Sequence, residues 1–487
     1  MIREHISMLA DFYEFNMAYA YFKQNRQKDI VYFDVFTRKH PDNNGYIIFN
    51  GLHRVIENIL NFKFTEDELT YLSQFGYDDD FIDYLRHLKL SIDLYAVADG
   101  TVMFKNEPFI TIRGSIIECQ LIETLILLSV NFSTLITTKA SRLVNAAQGR
   151  TILEFGARRA QGIDAAIEGA RCAMIGGCQA TSNTLAGFLY QVDIEGTMAH
   201  SYIQLFETEY EAFLSFAKLN PNNCSLLVDT YNTLNSGIPN AIRVAKEYLI
   251  PNGYRLKAIR LDSGDLAYLS KKARRLLDEA GLHDCLIVAS NSLDETLISN
   301  LLTQNAQIDA FGIGEKLITS ASSPVIGGVY KIVADELVDC SVRPLIKLSE
   351  NIEKITNPGY KRIYRFYNKD DNKAIADYIA LADEIVPEDE IELFDPNATW
   401  KRKIITNYIV RELQQPIFVQ GRLVYQQPTL QETIAYAQRE LNSLWDEVKR
   451  LNNPHNYYVD LSQKLYDLKH QLIEENRQKH IPTVKGN

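Results

Sequence analysis

Neither a disulfide framework nor a metal cage is written into this sequence. Its six cysteines (Cys119, Cys172, Cys178, Cys224, Cys285 and Cys340) include no C-x-x-C pair, which fits reduced, mostly buried thiols in a reducing compartment and argues against a structural zinc site. The nine histidines include no H-E-x-x-H and no pair four residues apart, so a histidine-rich metal site is equally unsupported. Long apolar runs are also missing. The longest, Leu121 to Val130, is broken by Glu123 and Thr124 and falls far short of the roughly 20 residues that a bilayer span needs. No basic segment leading into an apolar one opens the chain, so no secretory signal or membrane anchor is expected and the location is read as cytoplasmic. Acid exceeds base, 62 Asp and Glu against 51 Lys and Arg for a net charge of −11, which opposes the phosphate neutralisation that holds proteins on nucleic acid. Neither nucleic acid nor membrane is an expected partner.

What is present is a chain of 487 residues, 46% hydrophobic, with material for two or three domains. Between about residues 150 and 330 an apolar strand-like run, a small or polar cluster and a helical segment recur, the α/β signature. The runs Thr151 to Phe155, Ser225 to Val228, Leu256 to Leu261, Leu286 to Ala289 and Ile308 to Phe311 each end in such a cluster. With shorter turns at Thr181-Ser182-Asn183 and Gly196-Thr197 there are about seven strand ends. A barrel of parallel strands closes them most simply, with its chemistry at their carboxyl ends. Residues 1–130 read as an α+β domain, with helices at Asp11 to Asn25, Gly51 to Phe62 and Ile116 to Val130 and a hairpin-like pair at Gly100 to Phe104 and Phe109 to Ile112. Residues 131–345 read as the barrel. Residues 346–487 read as a C-terminal α+β region packed on the other two, with strands near Arg362 to Tyr367 and Ile409 to Leu413, helices at Thr429 to Leu451 and Leu461 to Glu475, and a frayed polar tail at Arg477 to Asn487.

Four clusters could carry chemistry. In Gly196-Thr197-Met198-Ala199-His200-Ser201 a lone histidine sits on a small-residue turn, where a neutral imidazole can accept a phosphoryl group or merely hydrogen-bond within a loop. Asp262-Ser263-Gly264-Asp265 follows a strand and opens a helix, so it can meet ribose hydroxyls or hold Mg²⁺, or simply cap the helix. Gly312-Ile313-Gly314 can form a phosphate nest or a tight turn. Arg158 and Arg159 can clamp a carboxylate or phosphate, or lie on the surface. No G-x-x-x-x-G-K-[ST], G-x-S-x-G or intact G-x-G-x-x-G after a strand is present, so any nucleotide chemistry avoids those frameworks.

Taken in order, several segments resemble nicotinate phosphoribosyltransferases over most of the chain. They are Leu9 to Tyr13, Phe33 to Arg38, Glu154 to Gly162, Thr181 to Asn183, Gly196 to Ser201, Arg260 to Leu266, Gly327 to Lys331, and Asn453 to His455 with Val459 to Ser462. The resemblance implies a type II phosphoribosyltransferase: an irregular TIM-like α/β barrel with an N-terminal α+β sandwich-like domain and a C-terminal extension, as a homodimer with shared sites. It implies that nicotinate and phosphoribosyl pyrophosphate are joined to nicotinate mononucleotide and diphosphate for NAD salvage, coupled to ATP hydrolysis with Mg²⁺. The family's phosphorylated histidine falls on His200, and Asp229 stands where an acid fixes that imidazole in the related nicotinamide enzymes. Phe155 and Tyr13 are implied to sandwich the pyridine. Arg158, Thr197 and Arg260 lie near nicotinate or the phosphates, and Asp262 meets ribose hydroxyls or the metal, which substrate phosphates chiefly hold. Gly312, Gly314 and Thr319 cradle the 5′-phosphate. Glu315 departs from the family's Gly-x-Gly-Thr loop and places a carboxylate where a phosphate would be repelled unless it turns away. Two rivals stand beside this reading: a nicotinamide phosphoribosyltransferase, against which Asn183 discriminates because an aspartate there would repel nicotinate, and a non-catalytic barrel-shaped binding protein.

Overall fold

The computed structural model describes residues 2–351 and 354–479. The chain divides into two compact units, Ile136–Pro324 and Met1–Leu135 with Val325–Asn487. The expected frayed tail falls largely on residues 480–487, outside the described residues.

The continuous unit is built on six parallel strands: β1 (Thr151–Glu154), β2 (Ala180–Thr181), β3 (Ser225–Leu227), β4 (Ala258–Leu261), β5 (Leu286–Ser290) and β6 (Ala310–Ile313). Their order in the sheet is β2-β1-β6-β5-β4-β3. Ile152, Leu226, Ile259, Leu261, Ile287, Ala289, Phe311 and Ile313 are buried, the near-continuous apolar pattern of strands covered on both faces. Helices follow most strands: α1 (Ile163–Ile175), α2 (Thr184–Tyr190), α3 (His200–Gln204), α4 (Leu266–Glu279), α5 (Glu295–Thr303) and the single turn α6 (Glu315–Ile318).

The sheet curls into part of a barrel, and the expected closure by seven strand ends is corrected to a ladder of six. Past β2 the described residues add one further parallel bridge, Thr181 to Ile194. No backbone ladder among the described residues joins this edge to β3. Side chains span part of the gap instead, with Lys257 Nζ donating to Glu195 at 2.7 Å and to Asn223 at 2.6 Å. The Gly196-Thr197 end is therefore irregular and forms no strand.

The other unit is woven from both ends of the chain. Its seven-stranded antiparallel sheet runs, in spatial order, Val342–Pro344, Gly328–Glu336, Ile30–Thr37, Ile110–Ser115, Asp93–Ala96, Gln415–Val419 and Arg422–Leu423. Residues expected in three separate regions thus share one sheet. The hairpin expected between residues 100 and 112 is not formed: Val102–Met103 pairs with Ile47–Ile48, while Ile110–Ser115 pairs with Ile30–Thr37 and Asp93–Ala96. A second sheet of four strands pairs Lys361–Asn368 with Tyr408–Glu412 and Ala374–Leu381. Buried ion pairs tie distant segments of this unit together: Lys361 to Asp34 at 2.9 Å, and Arg365 to Asp377 at 2.6 Å and Glu440 at 2.9 Å.

The expected helices form with shifted ends. Helix Leu430–Ser443 starts on a capping box, in which Thr429 accepts the Glu432 N–H and Glu432 accepts the Thr429 N–H, but it stops well before Leu451. Helix Glu123–Ala146 instead runs past the expected Val130.

Candidate active site

The carboxyl ends of the parallel strands carry polar residues because the apolar runs stop there, and the curl brings several of them into contact. Asp229, just beyond β3, is the hub. Its Oδ1 lies 3.2 Å from His200 Nε2, and its Oδ2 accepts the Asp262 N–H at 3.0 Å and the Ser263 hydroxyl at 2.6 Å. The Asp229 side chain is 1% exposed while that of His200, on the first turn of α3, is 40% exposed. A buried carboxylate therefore orients a partly exposed imidazole through its Nε2.

Arg260, on β4, is held by three donations from its guanidinium: Nη2 to Asp262 at 2.8 Å, Nη1 to Thr197 at 3.2 Å and Nε to Ser290 at 2.8 Å. The Ser290 hydroxyl in turn donates to Asp262 Oδ1. The guanidinium carbon lies 5.8 Å from the Phe155 ring centroid, although β1 and β4 are separated by β6 and β5. Three strand spacings would put them about 14 Å apart in a flat sheet, so the curl and the length of the arginine bring a cation against a flat aromatic face.

Within Asp262-Ser263-Gly264-Asp265 the helix cap falls to Asp265. Its carboxylate accepts the Tyr268 N–H at 3.0 Å and caps α4, which leaves Asp262 and Ser263 free to face the hub. Gly264, at φ +79°, makes the left-handed turn between them.

Gly312 and Gly314 have a reason the sequence did not disclose. Strand β6 runs to Ile313, past the expected end at Phe311, so Gly312 lies inside it. A Cβ on Gly312 would stand 2.5 Å from Cδ2 and Cε2 of Phe155, and one on Gly314 would stand 2.8 Å from the Phe155 carbonyl oxygen. The glycines admit the chain leaving β1. Glu315 leans toward Arg159, with 3.9 Å between Oε2 and Nε, and the Thr319 hydroxyl donates to the Glu315 carbonyl at 2.7 Å. Arg158 is exposed and has no ion pair or hydrogen bond among the described residues.

Asn183 is a structural cap. Its Oδ1 accepts the N–H groups of Leu185 and Ala186, both at 3.2 Å, and its Nδ2 donates to the Ala166 carbonyl at 3.1 Å. Beneath it lies Glu154, fully buried, which accepts the Thr181 hydroxyl at 2.6 Å and the Gly156 N–H. Burial pushes its carboxyl pKa up. Tyr13 belongs to the other unit, on helix Phe12–Lys23, and is 46% exposed. Partial desolvation, with the Glu123 and Glu14 carboxylates, pushes its phenol up to about 12, so it stays neutral at ordinary pH.

The sequence reading assigned no role to Ser290, Thr181 or Glu154, and to Ser263 only that of a helix cap or part of a binding cluster. The signal available for each was a polar residue at a strand end, which names a candidate but not its partner.

Comparisons with known proteins identify the family. Models described as the nicotinate phosphoribosyltransferase N-terminal and C-terminal domains match residues 8–131 and 360–469. Nicotinate phosphoribosyltransferase of Bacillus subtilis is 45% identical over 476 residues, covering 97% of this chain and 96% of the relative. The enzyme of that name from Homo sapiens is 30% identical over 525 residues, with 96% of each covered. The crystal structure of human nicotinic acid phosphoribosyltransferase superposes with a TM-score of 0.82 at 28% identity, covering 96% of this chain and 100% of that one. On this agreement across nearly its whole length, the chain belongs to the nicotinate phosphoribosyltransferase family.

Proposed function

We propose that this chain joins nicotinate to phosphoribosyl pyrophosphate, giving nicotinate mononucleotide and pyrophosphate for NAD salvage, and couples the transfer to ATP hydrolysis through a phosphoryl group on His200. The observation that carries the coupled mechanism is the His200–Asp229 pair at 3.2 Å. With the Nε2 proton donated to Asp229, the free lone pair of the neutral ring is on Nδ1. Nδ1 bonds to the γ-phosphorus of ATP as the bond to the bridging oxygen breaks and ADP leaves. Water later releases phosphate from the imidazole, and that step drives the transfer forward.

The transfer itself needs no protein nucleophile. The pyridine nitrogen bonds to ribose C1 as pyrophosphate departs, so the chain's work is placement and charge. Phe155 offers the pyridine a flat face, Arg260 and Thr197 line its edge, and the unpaired Arg158 meets a carboxylate or phosphate. Asp262 meets the ribose hydroxyls, and Gly312, Gly314 and Thr319 the 5′-phosphate. Asn183 favours the acid over the amide by its neutrality, since an aspartate would cap the helix as well but repel a carboxylate.

Mg²⁺ would neutralise phosphate charge. Among the described residues no three His, Cys, Asp or Glu side chains gather as a cage. Asp262 Oδ1 and both Asp229 oxygens already accept hydrogen bonds, which leaves Asp262 Oδ2 as a protein donor and the phosphates as the rest of the shell. Incubation with γ-labelled ATP and Mg²⁺ is expected to label His200 with an acid-labile phosphate. An acid-stable label would refute the assignment.

The assembly we propose is a cytoplasmic homodimer whose sites are completed by the partner subunit's Tyr13. Its support is the family resemblance, the six unpaired cysteines and the exposure of Leu9, Phe12 and Tyr13 together. Equal mixing of Tyr13→Ala and His200→Ala subunits should restore roughly a quarter of wild-type transfer. No recovery in verified heterodimers would mean that the ring serves its own subunit.

A further inference from the structure

We propose that Glu154, acting through Thr181, is a positioning residue that fixes the Phe155 ring and the Asn183 helix cap at one set spacing and thereby shapes the pyridine pocket. The inference rests on the reading that Phe155 and Asn183 flank the pyridine. The strands these two residues leave, β1 and β2, pair over only two registers, Leu153 with Ala180 and Glu154 with Thr181. The last backbone tie is the Ser182 N–H to the Glu154 carbonyl at 2.9 Å. Beyond it no backbone hydrogen bond joins the two exits among the described residues, and side chains link them instead.

The relay that does so has one polarity. The Asn183 N–H donates to the Thr181 oxygen at 3.0 Å, the Thr181 hydroxyl donates to Glu154 Oε2 at 2.6 Å, and Glu154 Oε1 accepts the N–H of Gly156. Each Glu154 oxygen is committed to one donor, so the carboxylate fastens the residue after Phe155 to the residue that caps α2. Gly156 is built around it: a Cβ there would stand 2.7 Å from Glu154 Oε1 and 2.6 Å from the Ile318 Cβ. The cap is anchored from its other side by Asn183 Nδ2 on the Ala166 carbonyl of α1. A buried carboxylate whose two oxygens each accept one hydrogen bond from the exits of β1 and β2 is a poor investment for stability alone, since an apolar pair would fill the same space without desolvating a charge.

The test is a steady-state comparison of Thr181→Val, Thr181→Ser and Glu154→Gln in the full-length protein. Valine keeps the shape and removes both hydrogen bonds, serine keeps them, and glutamine presents an N–H where the Thr181 hydroxyl donates. Thr181→Val and Glu154→Gln should each raise KM for nicotinate about tenfold, one lost hydrogen bond's worth. KM for phosphoribosyl pyrophosphate should stay within about twofold, by the same reasoning that distant contacts are independent. The preference for nicotinate over nicotinamide should fall, and Thr181→Ser should behave as wild type. Equal rises in both KM values, an unchanged nicotinate KM, or loss of the fold in both variants would overturn the proposal, the last because it makes the relay purely structural. Phe155→Ala separates the two layers. If it leaves nicotinate KM unchanged, the pyridine-site reading fails. If it raises that KM while Thr181→Val does not, only the relay fails.

Discussion

His200→Ala is expected to lower ATP hydrolysis by on the order of 10³-fold or more, the scale on which losing a covalent nucleophile is felt, while a slow, ATP-independent pyridine transfer continues. The split follows from the geometry. His200 stands at the Asp229 hub, whereas Arg260, whose guanidinium lies against the Phe155 ring, is held by Thr197, Ser290 and Asp262. Removing the imidazole leaves those three donations intact. Asp229→Asn should also impair hydrolysis, because an amide can present its N–H to Nε2 and stabilise the wrong tautomer. The measurement is ADP and nicotinate mononucleotide formation followed in parallel at saturating donor. Hydrolysis surviving in His200→Ala, or both activities falling together, would detach the nucleophile role from this residue.

Gly312→Ala is the second variant with a large expected effect, and it adds one carbon. The new methyl would sit 2.5 Å from two atoms of the Phe155 ring, well inside contact distance, so the ring must turn off the pyridine face. Losing an aligned aromatic contact should raise KM for nicotinate roughly 10- to 100-fold. A double-mutant cycle with Phe155→Leu checks the cause. Once the ring is gone the alanine has little to displace, and the two costs should fall well short of adding. Strict additivity would show that the glycine serves something other than the ring.

The barrel strands were legible because each is an apolar run that ends abruptly in a polar cluster, and five of them form where that pattern places them. Asp262 stood out for the same reason, and His200 as a lone histidine on a small-residue turn. What the sequence could not show was any choice that depends on a distant partner. Asp262, Ser263 and Asp265 are equally good caps by type, and only the helix start shows that Asp265 takes the role. Gly312 read as part of a phosphate nest or a tight turn, because nothing local reveals that the Phe155 ring stands against it. Val102 and Ile110 read as a hairpin because they are close in sequence, yet each pairs with a strand from elsewhere. Ser290 gains meaning only from its two partners on and beyond β4.

The interleaved sheet also has a consequence for how the chain is made. Residues 30–37 emerge early from the ribosome but pair with residues 328–336, and Asp93–Ala96 pairs with Gln415–Val419. Until residue 419 has been synthesised, Asp93–Ala96 has an open edge and the early half of the sheet cannot be finished. The Ile136–Pro324 unit, continuous in sequence, has all its strands in hand long before that point. Nascent chains stalled between these lengths therefore expose a bare strand edge, the feature that templates aggregation, and they depend on holding factors or on rapid elongation until the C-terminal strands arrive.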